Sequence, residues 1–143
     1  MALVTPALLV LMLVAAEFTR VFYEYNTLTK SVRDAARFLV DGAINPATRT
    51  YEIPASRVTM AKNLAVTGEL TGGTPLLEGL SVDDIKIDTG VLHGAAPLER
   101  EHVEVTADYT FEPLSPVIDG MGFLSGDVGL NFTLRASSTM RAL

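Results

Sequence analysis

The chain has 143 residues, contains no cysteine and carries a formal net charge of −6 at pH 7. A chain of this length builds one small domain besides any apolar segment, so a second folded domain is not expected. The lack of cysteine excludes disulfides, thiolate metal sites and cysteine nucleophiles, and the acidic balance argues against nucleic-acid binding because no cluster of Lys and Arg is present to neutralise phosphates.

The first predicted element is a long helix over about residues 6–41, and its first half is apolar. No charged side chain occurs in residues 1–16. Residues 2–16 would extend about 22 Å as a helix, less than the roughly 30 Å hydrocarbon layer of a membrane. A retained anchor, a signal-peptide core and a buried helix of a soluble protein are the three interpretations. The anchor is favoured because no basic segment precedes the run and no small-residue cleavage site follows it.

Glu17 and Arg20 are the first charged side chains of this helix. A charge in the apolar layer is costly unless it is paired or lies at the interface, and the three-residue spacing lets these two pair. Two readings stay open. In one they mark an ordinary interface, with Arg20 reaching water and Tyr23 and Tyr25 forming an aromatic belt. In the other the charge aligns neighbouring helices during assembly. The membrane or assembly residues predicted here are Pro6, Glu17, Phe18, Arg20 and Phe22.

The second half of the helix is amphipathic, because apolar residues recur at spacings of three and four. This pattern predicts a seam that packs against the rest of the domain. The charged pairs one turn apart, such as Arg20 with Glu24, are interpreted as exposed surface pairs. The seam residues are Tyr25, Leu28, Val32, Ala35 and Leu39. We place the membrane or assembly segment in residues 1–22 and an α+β domain in residues 23–143.

A second helix is predicted over about residues 54–67, opened by Pro54 and ended by Gly68. From Ser81 the apolar period changes to two, which predicts a small antiparallel sheet of about three strands over residues 82–89, 101–112 and 128–137. The order of a long helix, a short helix and a sheet predicts an α+β fold. The loop over residues 113–127 is a candidate partner surface, with apolar side chains at Val117, Ile118, Met121, Phe123 and Leu124.

No set of residues in the sequence predicts catalysis or ligand binding. His93 and His102 are not at metal-ligand spacing, and Asp83, Asp84 and Asp88 lack the alternation of a calcium loop. The glycines of residues 120–126 have the wrong spacing for a dinucleotide site, and the serines lack a nucleophile elbow. We therefore expect no enzyme activity, no catalytic residue, no cofactor and no metal site.

The basic residues predict an orientation that conflicts with a periplasmic domain. Arg20, Lys30, Arg33 and Arg37 follow the apolar run, and no charged side chain precedes it, so the positive-inside rule would place the domain in the cytoplasm. The short apolar run and this charge pattern together lead us to expect further residues before Met1.

Several segments resemble the TadE-like family, the minor pilins or pseudopilins of the bacterial tight-adherence (Flp pilus) system. They are residues 1–6 (MALVTP), the apolar run, Glu17 with Phe18, Arg20, and residues 26–37 (NTLTKSVRDAAR). The similarity continues in residues 61–66 with Gly68, in residues 109–114 and in residues 130–135. Members carry a basic leader that ends in glycine, followed by a glutamate. Neither is present here, so either residues precede Met1 or the chain is a divergent member.

The resemblance implies a pilin-like α+β fold and a role in assembling a Flp or type IV-like pilus for adherence. It implies a single-pass protein of the bacterial inner membrane, with its C-terminal domain in the periplasm or in the extracellular pilus. The implied partners are other pilin or pseudopilin subunits, the pilus assembly machinery, the lipid bilayer and, where a leader exists, a prepilin peptidase. The alternative function is a membrane-tethered periplasmic binding domain that never enters a filament.

Overall fold

The computed structural model describes residues 4–44, 52–89, 102–113 and 131–141. The elements in chain order are α1 (Val4–Val40), α2 (Ala55–Thr67), a 3-10 turn (Val82–Asp84), β1 (Ile85–Asp88), β2 (His102–Phe111) and β3 (Phe132–Arg141). The predicted α+β fold is confirmed: a long N-terminal apolar helix and a second helix accompany a three-stranded antiparallel sheet.

The helix α1 is continuous over 37 residues, a rise of about 55 Å. Small and aliphatic side chains recur at spacings of three and four on the side that faces the domain. Leu28, Val32, Ala35 and Leu39 are each at most 1% exposed there. The predicted boundary at residue 22 therefore falls inside an unbroken helix, which rigidly joins the apolar half to the domain.

The helix α2 packs against α1 near the C-terminal end of α1. Its Arg57 donates from Nε and Nη2 to the carbonyl oxygen of Phe38, at 3.3 and 3.2 Å, and its guanidinium lies 4.6 Å from the centre of the Phe38 ring. A helix end leaves carbonyl groups without partners, so this arginine satisfies one of them. The helix α2 ends at Gly68, whose φ of 77° suits glycine and whose N–H donates to Leu64 O.

The sheet has the order β1-β2-β3, with both neighbouring pairs antiparallel. Alternate side chains of β2 point into the core that α1 covers, as the period of two predicts. Each of them is at most 4% exposed: Val103, Val105, Ala107, Tyr109 and Phe111. The pairs Tyr109↔Leu134 and Phe111↔Phe132 bring the end of β2 and the start of β3 together. This end of the sheet lies beside the middle of α1.

Two strand boundaries differ from the prediction. Strand β3 runs to Arg141 because it pairs with all ten residues of β2, from His102↔Arg141 to Phe111↔Phe132. Residues 128–130 of the predicted third strand lie outside the described residues. The predicted first strand begins as a 3-10 turn, because the Asp84 carboxylate accepts hydrogen bonds of 2.8 Å from both the backbone N and Oγ of Ser81.

Candidate membrane and assembly interface

The N-terminal half of α1 is apolar and exposed. It includes a window of 18 residues with a mean hydropathy of 1.7, of which 0% is buried in the domain. Leu8, Leu9, Leu11 and Met12 are between 59 and 72% exposed, and Pro6 is exposed in the same stretch. By length and composition α1 is therefore a candidate membrane span.

Arg20 joins α1 to the end of β2. Its Nε donates to Glu24 Oε1 at 2.7 Å, and its Nη1 lies 3.9 Å from Glu17 Oε2. Nη1 also donates to the carbonyl oxygen of Glu112 at 3.1 Å, and the guanidinium carbon lies 5.1 Å from the centre of the Phe111 ring. The predicted pairing of Glu17 with Arg20 is thus part of a larger cluster that turns towards the sheet.

Glu24 is the buried member of this cluster. The residue is 6% exposed, and its second carboxylate oxygen has no hydrogen-bond partner among the described residues. A buried carboxylate is destabilising unless an opposite charge balances it. Arg20 supplies that charge from one helical turn away. We therefore expect the stability of the domain to depend on this ion pair.

Tyr109 of β2 lies close to the same carboxylate. Burial, together with the negative charge of Glu24, raises the pKa of Tyr109 to about 12, because both disfavour the phenolate. The neutral hydroxyl donates to the carbonyl oxygen of Glu78 at 3.0 Å. Tyr109 therefore stays protonated at neutral pH and ties the sheet to the segment that precedes β1.

The side of α1 that faces the domain differs from the predicted seam at two positions. Tyr25, assigned to the seam, is 42% exposed, while Glu24, interpreted as a surface residue, is buried. Successive helical residues point about 100° apart, so only one of the two can face the sheet. Glu24 takes this position because Arg20 neutralises it. The other four seam residues, from Leu28 onwards, are buried in the core.

Glu24 is the residue that sequence reasoning missed. The signal in the sequence is the spacing of four residues between Arg20 and Glu24, which predicts an ion pair on the helix surface. A hydrophobic pattern cannot distinguish that reading from a pair that faces the domain.

Phe18 and Phe22, the aromatic members of the predicted membrane or assembly set, lie outside the domain core. They are 60 and 63% exposed. A small apolar groove of about 50 Å³ lies between the helix and the sheet end, and its lining includes Val14, Phe18 and Phe132. We call this the sheet-end groove.

Residues 114–127 of the candidate partner loop lie outside the described residues, and so does His93. Its five assigned residues, Val117, Ile118, Met121, Phe123 and Leu124, stay a prediction. Within the part of the chain that the structure describes, no group of three or more His, Cys, Asp or Glu side chains could hold a metal ion.

These features define an α+β protein with a candidate N-terminal membrane span that continues into its domain. The model of the TadE-like protein family matches residues 1–37, which confirms the resemblance over that segment. The similar segments in residues 61–68, 109–114 and 130–135 lie beyond the match. No curated protein and no solved structure was found to match the chain. The match links the protein to the tight-adherence, or Flp pilus, system.

Proposed function

We propose that this protein is a minor pilin or pseudopilin that takes part in assembling a Flp or type IV-like pilus by bundling α1 with the helices of other subunits. The observation that carries the proposal is the position of the TadE-like match. It covers residues 1–37 and so includes the whole exposed apolar half of α1. A surface of this kind is suited to contact with lipid or with other apolar helices, and the proposed activity requires no catalysis.

Bundling in a membrane depends on close packing and on paired polar groups, because lipid is as apolar as a partner helix. The polar groups of α1 nearest the apolar half already have partners in their own domain, since Arg20 pairs with Glu24 and bonds to Glu112. The surface offered to other subunits is therefore apolar. We place the domain in the periplasm, anchored in the bacterial inner membrane before it is transferred to the pilus.

Deletion of the gene, followed by a count of surface pili and an adherence assay, tests the proposal. We expect fewer pili, with recovery when the wild-type gene is returned. Met12→Trp should restore piliation poorly, because it changes the shape of the apolar half at a residue that is 72% exposed. Tryptophan is still apolar enough for the helix to insert into the membrane. Met60→Trp on α2, where the residue is 43% exposed, is the matched control and should restore piliation fully.

The location is tested separately. Membrane fractionation should recover both variants with the inner membrane, and a C-terminal alkaline phosphatase fusion should be active only if the domain is periplasmic. Unchanged piliation and adherence in the deletion strain would contradict the assembly role.

A membrane-tethered periplasmic binding domain is the second candidate. It is favoured by a cavity of about 320 Å³ between Arg20, Glu78, Asp84 and Tyr109, near the lower end of the usual size of ligand pockets. An anchored, exported protein whose loss leaves pili intact would support this function over assembly.

A further inference from the structure

We propose that the outward side of α1 at residues 18–25, together with Phe132 at the sheet end, rests in the interfacial layer of a lipid bilayer. The domain would then lie directly on the membrane. We call the residues concerned the aromatic surface: Phe18, Phe22, Tyr25 and Phe132. The inference rests on the membrane-anchoring part of the proposed function and is independent of pilus assembly.

The first observation is a reversal of polarity around α1. The side chains of Glu17 and Glu24 are only 13 and 8% exposed on the side that faces the domain. On the side that carries the aromatic surface, Phe18 and Phe22 are 60 and 63% exposed. A helix between a core and water places its apolar side inward. These four positions depart from that arrangement, which indicates apolar surroundings next to the two exposed phenylalanines.

The second observation identifies these surroundings as lipid. Leu11, Phe22 and Arg33 lie on one side of α1, because eleven residues make close to three turns. Leu11 is 65% exposed and Arg33 is also exposed. Along this side the residues change from aliphatic to aromatic to basic, which is the order of hydrocarbon, interface and headgroups in a bilayer.

The charges that follow the aromatic surface fit anionic headgroups. Lys30 lies about 7 to 8 Å beyond Tyr25 along the helix axis, within the thickness of a headgroup layer. The exposed charges of the second half of α1 and of the residue that follows it are Lys30, Arg33, Asp34, Arg37 and Asp41, three basic and two acidic. Basic side chains outnumber acidic ones at this level, which favours anionic lipid headgroups as the complement.

The sheet provides a second point of contact at the same depth. Phe132 is 42% exposed, and its ring centre lies 5.4 Å from that of buried Phe111. Phe132 and Phe18 both line the sheet-end groove, so they are level with each other along α1. Contact through both elements would fix the tilt of the domain. It also explains why Arg20 and its two carboxylates face the sheet, since unpaired charges facing lipid are destabilising.

Tryptophan fluorescence tests the inference, because the natural chain has no tryptophan and each variant carries one reporter. The full chain is placed in nanodiscs of phosphatidylcholine and phosphatidylglycerol with bromine on the acyl chains, either near the headgroup or near the chain end. Phe22→Trp and Phe132→Trp report on the aromatic surface. Leu11→Trp reports on the candidate span, and Met60→Trp is the control on α2.

We expect Phe22→Trp and Phe132→Trp to emit at shorter wavelength than free tryptophan and to lose most intensity with the shallow bromines. Leu11→Trp should lose more with the deep bromines, and Met60→Trp should be unaffected by either. The substituted side chains are exposed, and Phe18→Trp gives a second reporter for the same surface if Phe22→Trp lowers the circular dichroism of the fold.

Each other outcome overturns the inference in a distinct way. If Leu11→Trp is not quenched, the chain is not anchored and the proposed function loses its membrane part as well. If only Leu11→Trp is quenched and the other reporters emit as in water, the domain stands clear of the bilayer. If Phe22→Trp emits at short wavelength without quenching, protein covers the surface. The last two results leave the piliation test unaffected.

Discussion

Replacement of Arg20 by methionine should destabilise the domain, because it removes the only charge that balances buried Glu24 in the described cluster. The substitution keeps a long apolar side chain against the Phe111 ring. It removes the 2.7 Å bond to Glu24 and the 3.1 Å bond to the Glu112 carbonyl. The remaining carboxylate has a side chain that is 8% exposed, so water can solvate it only poorly.

The expected loss in the free energy of unfolding follows from the burial of the Arg20–Glu24 ion pair. Removing one partner of a buried ion pair costs about 3 to 5 kcal/mol. Arg20 keeps 24% of its side chain exposed, which places the expected cost at about 2 to 4 kcal/mol. That is a large share of a typical folding free energy of about 5 to 15 kcal/mol, and it corresponds to a fall in Tm of roughly 6 to 15 °C.

Thermal unfolding of the full chain in detergent measures this effect. The apolar half of α1 stays helical in detergent, so the signal should come from tertiary structure, such as the near-ultraviolet circular dichroism of the four tyrosines. Arg33→Met, at an exposed position of the same helix, is the matched control and should change stability by less than about 0.5 kcal/mol.

A double substitution separates the charge from the packing. If the unpaired carboxylate is the main cause, Arg20→Met with Glu24→Met should be more stable than Arg20→Met alone, since two apolar side chains can replace a buried pair at little cost. A loss for Arg20→Met no greater than that for Arg33→Met would refute the reasoning. The reasoning would also fail if the double variant lost as much folding free energy as Arg20→Met and Glu24→Met lose separately when their losses are added.

Three further substitutions test the core and its surroundings. The pKa of Tyr109, raised to about 12 from 10.0, means that the folded state holds a proton that the unfolded state releases between pH 10 and 12. Stability should therefore fall as pH rises through this window, more steeply in the wild type than in Tyr109→Phe, when unfolding by urea is followed at each pH. Leu28→Ala should cost about 2 to 5 kcal/mol in urea unfolding because the side chain is fully buried, whereas Met60→Ala at an exposed position should cost far less. Gly42→Ala should lower Tm by an amount equivalent to about 1 kcal/mol, because a Cβ there overlaps the Arg57 guanidinium and displaces it from its hydrogen bonds to Phe38 O. An unchanged Tm would show that Arg57 relocates freely.

Most of the fold follows from short-range patterns in the sequence. The alternation from Val103 to Phe111 predicted a half-buried strand, and every apolar member is buried. Pro54 and Gly68 predicted the limits of α2 to within one residue. These signals are local, since they depend on the period of two in a strand or on backbone geometry at a helix end. The extent of β3 was not predictable in this way, because its last residues are set by pairing with β2.

The orientation of α1 at the border of its two halves could not be read from its own residues. A spacing of three and four is satisfied equally by a seam through Tyr25 and by one through Glu24, and both lead on to Leu28. Hydrophobicity alone predicts that Tyr25 faces the sheet. In the structure Glu24 faces it, because folding brings the charge of Arg20 and the buried end of β2 to the same place. Contacts between residues 24 and 109, 85 positions apart, have no signature in a helical pattern.

The arrangement of residues 17–25, with carboxylates facing the domain and phenylalanines exposed, meets two requirements at once: contact with the domain on one side and with an apolar environment on the other. A domain wholly in water would bury Tyr25 and expose Glu24, and a helix surrounded only by lipid would carry neither Glu17 nor Arg20. The observed arrangement suits a helix with protein on one side and an apolar environment on the other. Arg20 makes it stable by pairing with Glu24, and the same pairing keeps both charges away from the outward side, where Phe18 and Phe22 are exposed. Domain stability and the proposed membrane contact are therefore coupled through a single arginine, so a loss of Arg20 should impair both.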